Sequence, residues 1–208
     1  PFIYPPRLSL VRAICVRPNA EKAELSLAKW GVSRLGSGSH IMVSVLAKQR
    51  GWKTPQFQVC DDFNNLRAAL SEGRIDAFLW EKYTTRPFEI AGDLSFAGEV
   101  VTPWGCFCAV VAYPPRLDTA LARQALQAVL EESVPFQEDS DGISVEQITA
   151  MSGMTTADAT EWHRAVCYAK VGQVMSQDDL RLARETLEAA GVIEESRFSS
   201  EQEYCIAD

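Results

Sequence analysis

The sequence predicts an α/β protein in which a sheet-forming lobe is followed by a helical segment. Up to about residue 113, short apolar runs alternate with segments of helical periodicity, which is the pattern of a sheet flanked by helices. From Pro114 onward the periodicity is helical throughout. We therefore expect an α/β ligand-binding lobe over residues 1–113 and a helical C-terminal segment over residues 114–208.

Within the lobe, the strands are predicted from short runs rich in apolar residues, and the helices from longer runs bounded by capping residues. The predicted strands cover residues 10–16, 29–33, 57–60, 74–80, 98–104 and 106–113. One helix is predicted over residues 40–52, ending at Gly51. A second is predicted over residues 61–73, where Asp61 or Asp62 caps its start and Gly73 closes it.

The C-terminal segment carries one long amphipathic pattern and three N-terminal capping signals. A helix is predicted over residues 117–133, because apolar residues recur every four positions, at Leu117, Leu121, Ala125 and Val129. The runs at 144–147, 155–158 and 176–179 each resemble a capping box that starts a further helix. The last helix is expected to end near residue 190, before Gly191, and residues 136–144 are expected to form a linker.

Composition excludes two classes of partner. The 208-residue chain has a net charge of -8, which disfavours nucleic-acid binding because phosphate contacts need a basic face. No apolar run reaches the roughly 18 residues that span a membrane, so membrane insertion is not expected. The first residues lack the apolar core of a secretory signal. Several of the six cysteines lie in apolar runs, which favours reduced thiols over a disulfide framework. We therefore expect a cytoplasmic protein.

The run SRLGSGSHIM at residues 33–42 fits none of three known glycine-rich motifs. A dinucleotide-binding fingerprint requires a third glycine where Ile41 stands, and a phosphate-binding P-loop requires a lysine directly after Gly38. A nucleophile elbow starting at Gly31 requires a glycine at Leu35. These three enzymatic interpretations are therefore rejected.

A simpler physical interpretation of the same run remains. A strand, a loop of small residues and a helix N terminus leave backbone N–H groups free near Gly38, where the helix dipole favours an anion. The hydroxyls of Ser37 and Ser39 would add donors. The alternative is that Ser39 only caps the helix, although capping does not explain the glycines.

The runs GVSRLGSGSHIMVSVLAKQRGW, FQVCDDFNNLRAALSEGRIDAFLWEKYTTRPF and GEVVTPW resemble the second lobe of type II periplasmic-binding-protein-like proteins. The branch that they resemble is the cytosolic one, similar to alkanesulfonate, taurine and nitrate binding proteins and to thiamine-pyrimidine synthases. The resemblance covers roughly residues 8–113. In that family a first lobe of comparable size precedes this segment, where this sequence has only PFIYPPRL, so we expect weak ligand affinity for this chain.

The resemblance implies reversible binding of a small anionic or heteroaromatic molecule, without catalysis, catalytic residues, a cofactor or a metal. The loop would hold the charged end of the ligand, while an aromatic wall and one acid would line the cleft. The implied ligand-binding residues are Ser33, Gly36, Ser37, Gly38, Ser39, His40, Trp80, Glu81 and Trp104. Glu81 has the alternative of being an ordinary acid at a helix start.

Two other functions stay open at this stage. Thiamine-pyrimidine synthases carry a cysteine-rich stretch linked to iron chemistry where this chain has Cys106 and Cys108, although two thiols do not define a metal site and packing is the favoured interpretation. The other alternative is a non-catalytic scaffold, a homodimer or a complex with a partner chain that covers the helical segment. His163 and Asp76 are expected to have structural roles.

Overall fold

The computed structural model describes residues 2–3, 10–20, 24–104, 109–110, 119–166 and 177–194. The chain divides into two compact units: one comprises Leu10–Thr102 with Arg184–Arg197, and the other comprises Pro103–Ala183 with the two terminal segments. The expected domain boundary at residue 113 stays a prediction, because residues 111–118 lie outside the described ranges.

The elements alternate between strand and helix in the first half and are helical in the second, as the sequence predicts. The described strands are β1 (Phe2–Ile3), β2 (Val11–Val16), β3 (Lys29–Val32), β4 (Gln56–Val59), β5 (Ala77–Glu81), β6 (Ser95–Val101) and β7 (Ala109–Val110). The described α-helices are α1 (Gly38–Gln49), α2 (Phe63–Ser71), α3 (Lys82–Ile90), α4 (Thr119–Gln137), α5 (Ile143–Ser152), α6 (Thr156–Ala165) and α7 (Gln177–Ala189). The mixed α/β class is confirmed.

The first unit contains a five-stranded mixed sheet with the order β4-β3-β5-β2-β6. Strand β3 runs parallel to β4 and to β5, whereas β2 runs antiparallel to β5 and to β6. The register pairs Arg12 with Glu81 and Ala13 with Trp80. In the second unit, β1 and β7 form an antiparallel pair.

Two predicted strands are shifted along the sequence. Strand β5 begins at Ala77, not at residue 74. Asp76 precedes the strand because its side chain binds the start of β3: its carboxylate accepts the N–H of Lys29 at 2.9 Å. Strand β6 covers Ser95–Val101, whereas residues 98–104 were expected. It ends before Pro103, which has no N–H to donate to a sheet ladder. The strands expected at 10–16, 29–33 and 57–60 are confirmed to within one residue at each end.

Helix α1 begins at Gly38, two residues before the predicted start, and α3 was not predicted as a helix. Pro87 and two threonines obscure the helical signal of α3, yet Glu81 starts it by accepting the N–H of Thr84 at 2.7 Å. Helix α2 is capped by Asp62, one of the two residues expected there, whose carboxylate accepts the N–H of Asn65 at 2.9 Å.

The two faces of the sheet carry different residues, because side chains alternate along each strand. One face carries the main apolar cluster, in which Ala13 and Phe78 pack with Leu66 of α2. Trp80 packs at the margin of this cluster. Arg12, adjacent to Ala13 in β2, therefore points to the opposite face, where α1 packs against β3 and β5.

In the second unit, the predicted apolar face of α4 is largely exposed. Leu121 and Val129 are 63% and 65% exposed, whereas Leu130, one position further on, is 4% exposed. The four-residue spacing identified a face of the helix but not the face that is buried. The helix also runs to Gln137, into the segment that was expected to be a linker.

One of the three capping signals is confirmed and one is wrong. Thr155 caps α6 by accepting the N–H of Asp158 at 3.1 Å. Ser144 does not start α5, because Gly142 occupies the cap position with φ 86° and the carboxylate of Asp139 accepts the N–H of Ser144. The third signal lies partly outside the described residues, and α7 begins at Gln177. In the described part of the chain, no helix has the length and apolar character that crossing a bilayer requires.

We predict that Leu66→Ala destabilises the first unit by about 2–5 kcal/mol, because the side chain is fully buried against the sheet and its removal leaves a cavity. Chemical denaturation at pH 7 measures the free energy of unfolding. Leu27→Ala is the matched control: its side chain is 79% exposed, so a change within about 0.5 kcal/mol is expected. Equal effects of the two substitutions would contradict this assignment of the core.

Candidate ligand site at the N terminus of helix α1

The candidate site lies where the carboxyl ends of three parallel strands meet. Strands β3, β4 and β5 run in the same direction, so the segments that follow them lie at one edge of the sheet. Two hydrogen bonds join the first two of these segments: Val32 O accepts the N–H of Cys60 at 2.8 Å, and Ser33 O accepts the N–H of Asp61 at 3.1 Å. In open α/β sheets, ligands bind at this edge.

The segment after β3 forms a tight turn that requires Gly36. The N–H of Ser37 donates to Arg34 O at 3.1 Å, which closes a four-residue turn, and Gly36 has φ 79°. A positive φ at the third position is typical of a type II turn, which favours glycine there. The N–H of Gly36 donates to Nδ1 of His40 at 3.1 Å, so the turn is fixed to the first turn of α1.

Ser37, not Ser39, caps α1. Ser37 has extended backbone angles, and its Oγ accepts the N–H of His40 at 3.4 Å. The simpler alternative, a cap at Ser39, is therefore wrong, because Ser39 lies inside the helix and is 3% exposed. The solvent-facing donors of this loop are main-chain groups of the first turn, where Gly38 is exposed and N–H groups have no acceptor within the helix.

The side chain of Arg12 lies against this first turn, and the sequence analysis did not include it in the site. A Cβ atom on Gly38 would lie 2.5 Å from Nη2 and 3.2 Å from Cζ of Arg12. The guanidinium therefore occupies the space that a side chain at position 38 would need. A charged residue within the otherwise apolar run LVRAICV was the available signal, but only the strand order shows which helix it reaches.

The charge arrangement at this point favours an anion. The N terminus of an α-helix carries the equivalent of about half a positive charge, and the guanidinium adds a full one. Main-chain N–H groups and an arginine together are the groups that bind carboxylates, phosphates and sulfonates.

His40 is held in the neutral form by its surroundings. Its Nδ1 accepts the N–H of Gly36, which places the ring proton on Nε2, and its ring packs edge-on against Phe57 with centroids 4.6 Å apart. Burial lowers the pKa of His40 below its usual value of 6.5. The ring therefore positions the loop through an acceptor nitrogen and leaves one N–H donor on its other edge.

Glu81 lies beside Arg12 in the sheet register and caps α3. One carboxylate oxygen accepts the N–H of Tyr83 at 3.1 Å, and the other accepts the N–H of Thr84 at 2.7 Å. The ordinary role at a helix start is thus filled, and a direct role in ligand binding stays a prediction.

Of the two tryptophans of the predicted site, Trp80 lies away from the loop. Trp80 stacks on Phe63, with centroids 5.1 Å apart, on the face of the sheet opposite to Arg12. Trp104 belongs to the other compact unit, so its role stays a prediction. Cys106 and Cys108 lie outside the described residues.

The remaining candidates have structural partners. Asp76 was expected to make a structural hydrogen bond, and its carboxylate accepts the N–H of Lys29. Nε2 of His163 lies 2.6 Å from the carbonyl oxygen of Phe136. Burial raises the pKa of the Cys15 thiol in β2 to about 12. Within the described ranges, no group of three histidine, cysteine or acidic residues is arranged to hold a metal ion.

The fold is that of periplasmic binding proteins, as the sequence resemblance predicts. Residues 14–100 match the family described as Ca3427-like PBP. The CA3427 gene product of Candida albicans, described as having the generic periplasmic binding protein fold, is 25% identical with a TM-score of 0.80; the match covers 93% of this chain and 67% of that one. No protein of curated function is significantly similar in sequence.

Two sulfonate-binding proteins share the fold at lower identity. The alkanesulfonate-binding protein SsuA of Xanthomonas axonopodis pv. citri, bound to MOPS, is 15% identical with a TM-score of 0.64, covering 92% of this chain and 70% of that one. The aliphatic sulphonate binding protein SsuA of Escherichia coli is 17% identical with a TM-score of 0.59, covering 94% and 65%. The chain thus spans about two thirds of the length of these structures.

We predict that the free energy of unfolding decreases as the pH falls below about 6.5, the usual pKa of histidine. The pKa of His40 is lower in the folded state than in the unfolded chain, so the unfolded chain takes up the proton first and is favoured by acid. Protonation at Nδ1 also removes the acceptor for Gly36. NMR titration of the ring, with urea denaturation between pH 5 and 8, measures both effects.

The control is His40→Asn, which cannot titrate in this range, so the part of the pH dependence that comes from residue 40 should disappear. A His40 pKa at or above 6.5 in the folded protein, or an unchanged pH dependence in the variant, would show that the loop does not depend on the neutral ring.

Proposed function

We propose that this chain is part of a small-molecule-binding protein, and that it holds an anionic group of its ligand between the guanidinium of Arg12 and the first turn of α1. The observation that supports this proposal most directly is the packing of that guanidinium against Gly38. Binding alone accounts for the arrangement, because the site combines fixed positive charge with main-chain donors and no proton-transfer step is needed.

The local structure supports an anion at this position. Arg12 is half-buried in a central strand of the sheet, so its head group is confined to the end of α1. Gly38 has no side chain in the way, and the cap at Ser37 fixes the direction in which the first N–H groups point. Hydrogen bonds to charged groups contribute about 1.5–3 kcal/mol each.

The sulfonate-binding proteins that share the fold support a sulfonate, or a similar oxyanion, as the anionic group of the ligand. Two structures with the same fold are named as sulfonate-binding proteins, one of them bound to MOPS. A sulfonate carries three oxygens and one charge, which suits a guanidinium beside several N–H groups. The chain spans about two thirds of those proteins, so we expect further ligand contacts to come from outside it and the affinity of this chain to be weak.

The cellular compartment and the assembly state stay predictions. Cys15 and Cys60 are unpaired thiols, which supports the cytoplasm that the sequence led us to expect. A homodimer or a partner chain would cover the exposed Leu121 and Val129 of α4, which is the observation that supports a binding partner for the helical segment. The synthase-like alternative gains no support from the described residues, because its two cysteines lie outside them.

We predict that Arg12→Met weakens the binding of a simple sulfonate by about 10- to 100-fold, because it removes the charge while keeping most of the apolar stem. Titration with MOPS, followed by amide NMR shifts of residues 36–41 in a buffer without sulfonate groups, measures the dissociation constant. Arg50→Met is the matched control: it removes one positive charge at the opposite end of α1, about 18 Å away, so we expect affinity within about twofold of the parent.

We predict that Gly38→Ala also weakens sulfonate binding, by at least about fivefold, while the fold is retained. The added methyl group would occupy the position of the guanidinium, which must move, and a flexible side chain moves at low cost. Thermal denaturation checks the fold. Unchanged MOPS affinity in both Gly38→Ala and Arg12→Met would remove this loop from the site.

A further inference from the structure

A groove in the same unit runs along α2. It is a surface groove of about 730 Å³. Its walls come from the turn after β2, the outer face of α2 and the turn between α3 and β6. The lining residues that matter here are Arg17, Asn64, Arg67, Ser71, Asp93 and Leu94.

The basic end of this groove is separate from the site at α1. Arg17 directly follows β2, and Arg12 lies five residues earlier, within that strand, which corresponds to about 17 Å along an extended chain. Arg12 also points to the opposite face of the sheet from the α2 cluster. A ligand in the groove therefore contacts different residues from a ligand at α1.

Arg67 provides a positioned guanidinium in this groove. Its Cζ lies 3.6 Å from the centroid of the Phe88 ring and 5.8 Å from that of Phe63. One Nη donates to Asp93 at 2.9 Å, which uses one of its five N–H groups. The side chain is still 28% exposed, so a preformed, flat donor group reaches the groove.

An unmet hydrogen bond marks the same guanidinium. The Nε atom of Arg67 is buried and has no acceptor in the described part of the chain. A buried donor without an acceptor costs about 1–3 kcal/mol, so the bond to Asp93 leaves the hydrogen-bonding capacity of this guanidinium incompletely used.

The charges around the groove favour an anionic acceptor. Arg17 adds a second guanidinium, held only loosely by Asp76 at 3.7 Å and 48% exposed. Asp93 is the one acid among the charged lining residues, so the lining carries two positive charges and one negative. A planar carboxylate matches a guanidinium in two parallel hydrogen bonds.

We propose that the groove along α2 binds a carboxylate group, with Arg67 and Arg17 as its cationic partners and the buried side chains of Leu70 and Leu94 under its apolar part. A free organic acid and an acidic side chain of a partner peptide share this chemistry. Both reach the same two arginines, so the test has one arm for each source.

Amide NMR titrations of the full chain test the proposal, with hexanoate as the free acid and acetyl-Leu-Glu-Leu-amide as the peptide. At least one probe should bind with a dissociation constant in the millimolar range or tighter and shift the amides of Asn64, Ser71 and Gly92. Tighter binding of hexanoate assigns the groove to an organic acid, and tighter binding of the peptide assigns it to a partner segment. Equal binding of inorganic phosphate would overturn the selection of a carboxylate.

Arg67→Lys keeps the charge but loses the planar donor pair, and Arg17→Ala removes the second charge; each should weaken the better probe by about tenfold. Arg74→Ala is the matched control, because Arg74 is half-exposed, pairs with Glu72 and lies outside the groove lining, so affinity should stay within about twofold.

Shifts confined to residues 36–41, no shifts with either probe, or unchanged affinity in Arg17→Ala would overturn the proposal. Arg17 is exposed at a turn, so this variant decides the outcome if Arg67→Lys fails to fold. None of these outcomes depends on whether a sulfonate binds at α1.

Discussion

The placement of β2 between β5 and β6 is the constraint on which the candidate site depends. Because β2 runs antiparallel to both neighbours, Arg12 at its start comes beside Glu81 at the end of β5, at the edge where the parallel strands finish. The guanidinium is thereby held against Gly38 at the positive end of α1. Any displacement of β2 would separate the two positive groups and remove the reason for an anion to bind there.

The loop before α1 is held by main-chain hydrogen bonds and two side chains, which leaves its surface to the backbone. Ser37 Oγ accepts the hydrogen bond that caps the helix, and Nδ1 of His40 accepts the one that fixes the turn, so both acceptors already have partners. Glu81 is likewise already hydrogen-bonded, because its two carboxylate oxygens cap the N terminus of α3. Polar residues that look like ligand groups in the sequence are, in this loop, largely the supports of the backbone groups that face solvent.

Much of the fold could be predicted from local patterns, and the part that could not depends on long-range pairing. Caps and short apolar runs gave β2, β3 and α2, because those signals lie within a few residues of one another. Helix α3 was not predicted, since Pro87 and adjacent threonines weaken its local signal, although Glu81 was considered as an acid at a helix start. The sequence analysis did not include Arg12 and grouped Trp80 with the loop for one reason: a single sequence shows neither strand order nor which face of a strand meets which helix.

Cys15 gives the sheet an internal reporter. A thiol whose pKa is about 12 is ionised in roughly one molecule in 10⁵ at pH 7, so an alkylating reagent meets almost no thiolate while β2 stays in place. Once β2 separates from its neighbours, the same sulfur regains ordinary acidity and reacts. The rate of alkylation of Cys15 therefore reports how often the strand that carries Arg12 opens. A bound anion that holds Arg12 against α1 would lower that rate.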